Sequence, residues 1–233
     1  MAFGMRFWNL MIEQRAEGSG EPTTTPWRTE GRIMLARTPS SPRFGYVLAH
    51  GAGAGMRHPF MEAISQALFE RGVATLRYEF PYVASGRKRP DPPARLVGSV
   101  REAVKRAGAE WPGLPLIAGG KSMGGRMTST AQAEEPLAGV AGLAFLGFPL
   151  HPPGKPSVSR ADHLFQVRVP MLFLQGSRDD FAELGLITGV CERLGPRARL
   201  EVLEGADHSF RVPKRKGEQV IGELADRVLC GPW

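Results

Sequence analysis

Gly120, Ser122 and Gly124 spell Gly-x-Ser-x-Gly within PLIAGGKSMGGR, the stretch from Pro115 to Arg126. A serine hydroxyl is a weak nucleophile until a neighbouring base takes its proton, and it must be held where a substrate can reach it. An apolar run (Leu116, Ile117, Ala118) ends abruptly in glycines, and a helix-compatible segment from Met127 to Ala133 follows, so strand, tight turn and helix succeed one another. A serine strained into such a turn excludes bulky neighbours two residues to either side, and glycine meets that need. Its hydroxyl then projects from the carboxyl end of the strand, where the amide of Met123 can stabilise an oxyanion beside the helix N-terminus.

In a chain with 29 glycines the same pattern also describes a glycine-rich loop that happens to hold a serine. Gly-Lys-Ser suggests a phosphate-cradling loop as well, but Pro115 stands where that loop requires its first glycine. The partners of the serine must decide. Serine catalysis needs a base, normally histidine, and an acid that holds the histidine in the right tautomer. Of the five histidines, His208 in EGADHSF follows the last strand-like run and precedes the last helical one. His50 suits a structural imidazole bonded to backbone, His58 a cap or packing residue of the first helix, and His163 an exposed position. His151, after an apolar strand, could face the pocket. Asp179 and Asp180 follow the strand PMLFLQ; Asp179 is nearer its end and is favoured as the acid, and either could instead cap a helix starting at Phe181.

These residues need a scaffold of alternating elements. Gly31 to Arg37 and Phe44 to Ala49 read as strands around the turn TPSSP. A helix begins at Pro59 (Phe60, Ile64, Ala67 and Leu68 share a face) and ends by Gly72; Val73 to Phe80 is the next strand, and Leu96 to Ala107 a second amphipathic helix. Val140 to Phe148 and Pro170 to Gln175 are apolar runs suited to strands buried on both faces. Arg199 to Leu203 alternates like a sheet edge, and Val220 to Val228 forms a last helix. The pattern predicts a single α/β domain over residues 28–233, a mostly parallel sheet with helices on both faces and ligands at the strands' carboxyl ends. Residues 1–27, with Glu17 to Thr25 rich in Gly, Ser, Thr, Pro and Glu, are expected to be a flexible or loosely packed lead-in. Leu150 to Val169 is the one place for a lid, and it is short.

The chain's 233 residues suffice for one substantial core, and 42% hydrophobic with 23% charged residues is ordinary for a globular protein. No apolar run is long enough to span a bilayer, and Asn9 and Glu13 interrupt the N-terminal apolar patch, so neither a membrane protein nor a signal peptide is expected. Cys191 and Cys230 form neither a disulfide framework nor a metal cluster, which points to the cytoplasm. The net charge of +7 includes two basic runs, 87–89 and 214–216, beside prolines and without interleaved aromatics. They read as solvated surface rather than a specific nucleic-acid platform, with some attraction for anionic substrates.

The chain order Ser122, Asp179, His208 is that of α/β-hydrolases. From about residue 28 onward the chain resembles that superfamily, and more narrowly it is similar to the small dienelactone-hydrolase-like group that includes testis-expressed and acetyltransferase-complex regulatory subunit proteins of animals. The resemblance is carried by HGAGAGMRHPFM (His50 to Met61), YEFPY (Tyr78 to Tyr82), GGKSMGGR (Gly119 to Arg126), GFPLHPPGKP (Gly147 to Pro156) and QGSRDD (Gln175 to Asp180). It implies Ser122 as nucleophile, Asp179 as acid and His208 as base, with the amides of Met123 and Ala52 as the oxyanion hole. Dienelactone hydrolases proper use cysteine as nucleophile, so their lactone specificity does not carry over. The expectation is a serine hydrolase of a small ester, thioester or related acyl compound, needing no cofactor or metal, a monomer or homodimer. The alternative is a hydrolase-fold binding or scaffold protein with little turnover. Arg126, Phe148, His151 and Phe210 border the expected pocket or pack beneath it.

Overall fold

The computed structural model describes residues 23–29 and 32–233. Its strands are β1 (Thr23–Thr29), β2 (Arg32–Thr38), β3 (Phe44–Ala49), β4 (Val73–Tyr78), β5 (Leu116–Lys121), β6 (Val140–Leu146), β7 (Met171–Gly176) and β8 (Ala198–Leu203). They form one sheet in the order β1-β2-β4-β3-β5-β6-β7-β8. β3 to β8 are mutually parallel, while β2 runs antiparallel to both β1 and β4. Every residue of β3, β4 and β7 is buried, including the polar Thr75 and Arg77 of β4, whereas β8 at the edge is mostly half-exposed.

Alternate residues of each central strand serve opposite faces. Val47, Ala49, Leu116 and Ala118 join one core, under α3 (Pro93–Glu110), α4 (Met123–Glu134) and α5 (Leu184–Leu194); Tyr46, Leu48 and Ile117 join the other, under α1 (Pro59–Phe69) and α6 (Gly217–Leu229). A short helix, α2 (Pro81–Ala84), follows β4. Because the chain goes from β3 through α1 to β4 and then crosses back to β5, the connections diverge between β3 and β5. A crevice opens at such a switch point, outside the strand ends.

Several boundaries differ from the sequence reading. Of the expected lead-in 1–27, residues 1–22 lie outside the described residues, while 23–27 belong to β1, whose Trp27 sits opposite Met34. The helix after Ser122 starts at once, at Met123, and Met123, Gly124, Gly125 and Arg126 form its first turn. The helix after β7 starts at Leu184 with Glu183 as its cap, so Asp180 caps nothing at Phe181. The carboxylate of Asp179 accepts from the Phe181 amide at 2.8 Å and the Asp179 carbonyl from Ala182 at 3.1 Å, which holds 179–182 in a turn. In the segment expected to form a lid, Leu150, Ala161, Leu164 and Val167 are buried in the core around a 3-10 helix, Ser159–Gln166. It is a packed wall.

Candidate active site

Ser122 connects β5 to α4 with φ 50° and ψ −118°. A non-glycine residue there costs on the order of 1–3 kcal/mol, which the surroundings must offset. Its amide donates to the Leu146 carbonyl at 3.1 Å, and its carbonyl accepts from Arg126 at 3.1 Å. The flanking glycines permit the turn sterically: a β-carbon on Gly120 would lie 2.1 Å from the Ala49 carbonyl oxygen, and one on Gly124 2.6 Å from those of Ala49 and His50. Glycine is needed because the turn rides directly on the end of β3.

The loops after β7 and β8 bring two further groups to this point. His208 Nε2 lies 2.9 Å from Ser122 Oγ, and its Nδ1 lies 2.9 and 2.8 Å from Asp179 Oδ1 and Oδ2. An ionised carboxylate only accepts, so Nδ1 carries the proton and Nε2 is free to receive one from the serine. Asp179 is 4% exposed and also accepts from Gln175 Nε2 at 2.6 Å. Gln175, itself fixed by the Phe148 amide at 2.9 Å, locks the carboxylate from behind. The Phe181 ring lies 4.3 Å from that of His208, centroid to centroid. Asp180 is exposed and outside this chain of bonds.

Lys121 joins the serine strand to the histidine loop: Nζ donates to the His208 carbonyl at 2.6 Å and lies 5.4 Å from the Phe210 ring. Burial lowers its pKa to about 8 against the opposing pull of Asp179 and Asp207. The sequence raises Lys121 only in connection with the rejected phosphate loop and Gln175 not at all, although both sit inside the stretches GGKSMGGR and QGSRDD.

The Gly51–Met56 turn faces Ser122 from the end of β3. Ala52 lines both cavities that open on Ser122, and Met123, as the first residue of α4, has an amide without an intrahelical acceptor. Buried groups set this turn. His50 Nδ1 donates to the Gly51 carbonyl at 2.8 Å, and Nε2 accepts the Phe80 amide at 3.1 Å, which makes the ring neutral; burial lowers its pKa in the same sense. Glu79 accepts from the Met56 amide at 2.9 Å, and Arg77 donates to the Met56 carbonyl at 2.7 Å.

His50 is thus structural, and His58 caps α1 by accepting the Phe60 amide at 3.2 Å. His151 is buried and bonds the Pro152 carbonyl at 2.9 Å, away from Ser122. His163, expected at the surface, is instead half-buried. Ser129 Oγ donates to the Arg126 carbonyl, so His163 Nε2 donates to Oγ at 2.7 Å, and burial with the nearby Arg126 charge lowers its pKa to about 4. Phe148 and Phe210 are packing residues; Phe148 meets Phe145 and Phe173 at centroid distances of 5.2 and 5.7 Å. Among the described residues, no group of three or more His, Cys, Asp or Glu side chains is arranged to hold a metal ion. A larger cavity between α1 and α6, about 810 Å³, does not reach Ser122.

An α/β-hydrolase domain model matches residues 42–229, most of the chain and all of the elements that carry Ser122, Asp179 and His208. The chain belongs to the α/β-hydrolase family. Solved structures share its fold. A dienelactone hydrolase from Anabaena variabilis is 17% identical, with a TM-score of 0.72 over 91% of this chain and 98% of that one. An α/β serine hydrolase without lid from Xanthomonas campestris is 19% identical, with a TM-score of 0.71 over 93% and 98%. Est1E from Butyrivibrio proteoclasticus is 16% identical, with a TM-score of 0.63 over 91% and 98%. At these identities the likeness concerns the fold. Among the described residues of this α/β hydrolase, no helix is long and apolar enough to cross a membrane.

Proposed function

We propose that this α/β hydrolase is a serine hydrolase that cleaves a small ester, thioester or related acyl compound through Ser122, His208 and Asp179. One observation carries the reading: the unbroken line of hydrogen bonds from Ser122 Oγ through His208 to Asp179, at 2.9 and 2.8 Å. Ser122 Oγ attacks the acyl carbon while His208 Nε2 takes its proton, and Asp179 stabilises the resulting imidazolium. The amides of Met123 and Ala52 receive the developing oxyanion; one donor of this kind is worth about 2.7–4 kcal/mol in other hydrolases. His208 passes the proton to the departing oxygen or sulfur, leaving the acyl group on Ser122. Water then attacks the acyl-enzyme with His208 as base, releasing the acid and restoring the serine.

The packed wall at 150–169 covers the site no further, which favours short or water-soluble acyl groups. Free thiols at Cys191 and Cys230 support a reducing compartment, the cytoplasm. A fluorophosphonate probe tests the reading: wild type labels and Ser122→Ala does not, while both give native circular dichroism. A panel of p-nitrophenyl esters and acyl thioesters of increasing chain length then identifies the acyl group. Folded wild type that refuses the probe and the panel would be a binding or scaffold protein instead.

A further inference from the structure

Two cavities meet at Ser122. One, about 450 Å³, is lined by His208, Lys121 and Phe60; the other, about 310 Å³, by Met123, Arg126, Met127, Pro149 and Arg160. Ser122, Ala52 and Phe181 belong to both. The proton that His208 takes from Ser122 must reach the departing atom, so the leaving group lies in the cavity that His208 lines. The acyl chain then enters the other.

That second cavity combines apolar walls with two half-buried arginines, Arg126 and Arg160, and one acid, Asp91. Buried charges are normally paired, and a guanidinium has five donors to satisfy. Yet the Nε of Arg126 is buried with no hydrogen-bond partner, and among the described residues no carboxylate forms an ion pair with Arg126 or Arg160. Burial lowers the pKa of Arg126, and the nearby charge of Arg160 lowers it further. Asp91, the carboxylate on the same lining, has its Oδ1 held by Arg87 at 2.7 Å and Arg95 at 3.5 Å, while its Oδ2 is buried without a hydrogen-bond partner. Some arginines elsewhere pair with acids, as Arg71 does with Asp226 at 2.6 Å and Arg215 with Glu223 at 2.7 Å.

We propose that Arg126 and Arg160 receive a carboxylate borne by the acyl group, so that the substrates are half-esters or half-thioesters of short dicarboxylic acids. This rests on the Ser122 hydrolase reading and names its substrate class. The leaving group faces the wider cavity and is selected less strictly.

The test compares 4-nitrophenyl hydrogen adipate with 4-nitrophenyl methyl adipate, which share acyl length and leaving group and differ in charge. In wild type, kcat/KM for the half-ester should exceed that for the methyl ester by about 10-fold, the scale of one charge-assisted contact. Added salt should shrink the ratio. Arg126→Gln and Arg160→Gln should each bring it towards one, with Arg126→Lys intermediate. A wild-type ratio at or below one, or a ratio that neither glutamine variant changes, overturns the proposal. 6-Oxoheptanoate, which carries a methyl ketone where monomethyl adipate has its ester, reads the same site without turnover: it should raise the melting temperature of wild type and not that of folded Arg126→Gln or Arg160→Gln. If neither ester is hydrolysed but this shift is seen, the anion site stands and the hydrolase reading falls. Absence of the shift in wild type counts against the anion site itself.

Discussion

Gly176 lies so close to the turn after β8 that a β-carbon on it would come 2.2 Å from the Ala206 carbonyl oxygen and 2.9 Å from that of Asp207. This backbone contact presses together the two loops that carry Asp179 and His208. Gly176→Ala must drive them apart. Overpacking of this kind costs about 1–3 kcal/mol, and here it should also slow fluorophosphonate labelling of Ser122. Gly189→Ala is the control, because nothing lies within 4 Å of its added carbon in α5 and the helix should gain about 0.5–1 kcal/mol. Urea unfolding with labelling rates checks both. Labelling of Gly176→Ala at the wild-type rate would show that the contact does not position the pair.

Asp179 and Asp180 are adjacent in sequence but occupy different environments, one buried against His208 and the other exposed. Asp179→Asn should leave His208 in the wrong tautomer and lower kcat by about 10⁴-fold. Asp180→Asn should change kcat less than about threefold on the same scale. Steady-state kinetics on whichever ester the panel selects distinguishes them, and equal losses would remove Asp179 from its assigned role.

Glu79 holds the turn that carries Ala52 by accepting the Met56 amide, while Arg77 holds the Met56 carbonyl. Glu79→Ala leaves that amide without its acceptor and loosens the turn. Since an oxyanion donor acts in the transition state rather than on bound substrate, kcat should fall by roughly 10-fold or more with KM little changed. A rise in KM at constant kcat would mean that the turn binds substrate instead.

His163 is held neutral beneath the site, with its pKa lowered from 6.5 to about 4. Between those values the unfolded chain binds more protons than the folded one, so stability falls as pH drops through that window and the contribution is complete above about pH 6.5. Between pH 7 and pH 5 the loss is at most roughly 2 kcal/mol. Urea midpoints at the two pH values should differ less for His163→Gln than for wild type. Arg126→Gln, which removes one cause of the lowered value, should raise the His163 pKa read by NMR titration.

Most of the parallel sheet was legible because a strand buried on both faces must be apolar throughout, and β3, β6 and β7 are nearly so. The segment joining β7 to α5 was not. Phe181 and Leu184 share a helical period with Ile187, but the hydrogen bond from the Phe181 amide to Asp179 competes with helix and delays its start to Leu184. The surface assignment of His163 failed similarly. Nothing local in SRADHLFQ signals that Ala161 and Leu164 will be drawn into the core and take the ring with them.

By itself the sequence determined the serine turn and the order of strands and helices, because local sterics and hydrophobic period act between near neighbours. It also narrowed the acid to a pair of adjacent aspartates. Only the tertiary structure decided which of the pair meets His208, that Lys121 and Gln175 brace the site, and that Arg126 and Arg160 face one cavity unpaired. Those outcomes depend on which strand ends lie side by side at the switch point. Contacts across 29 to 87 residues, such as Asp179 to His208 and Lys121 to His208, have no periodicity for a sequence to display.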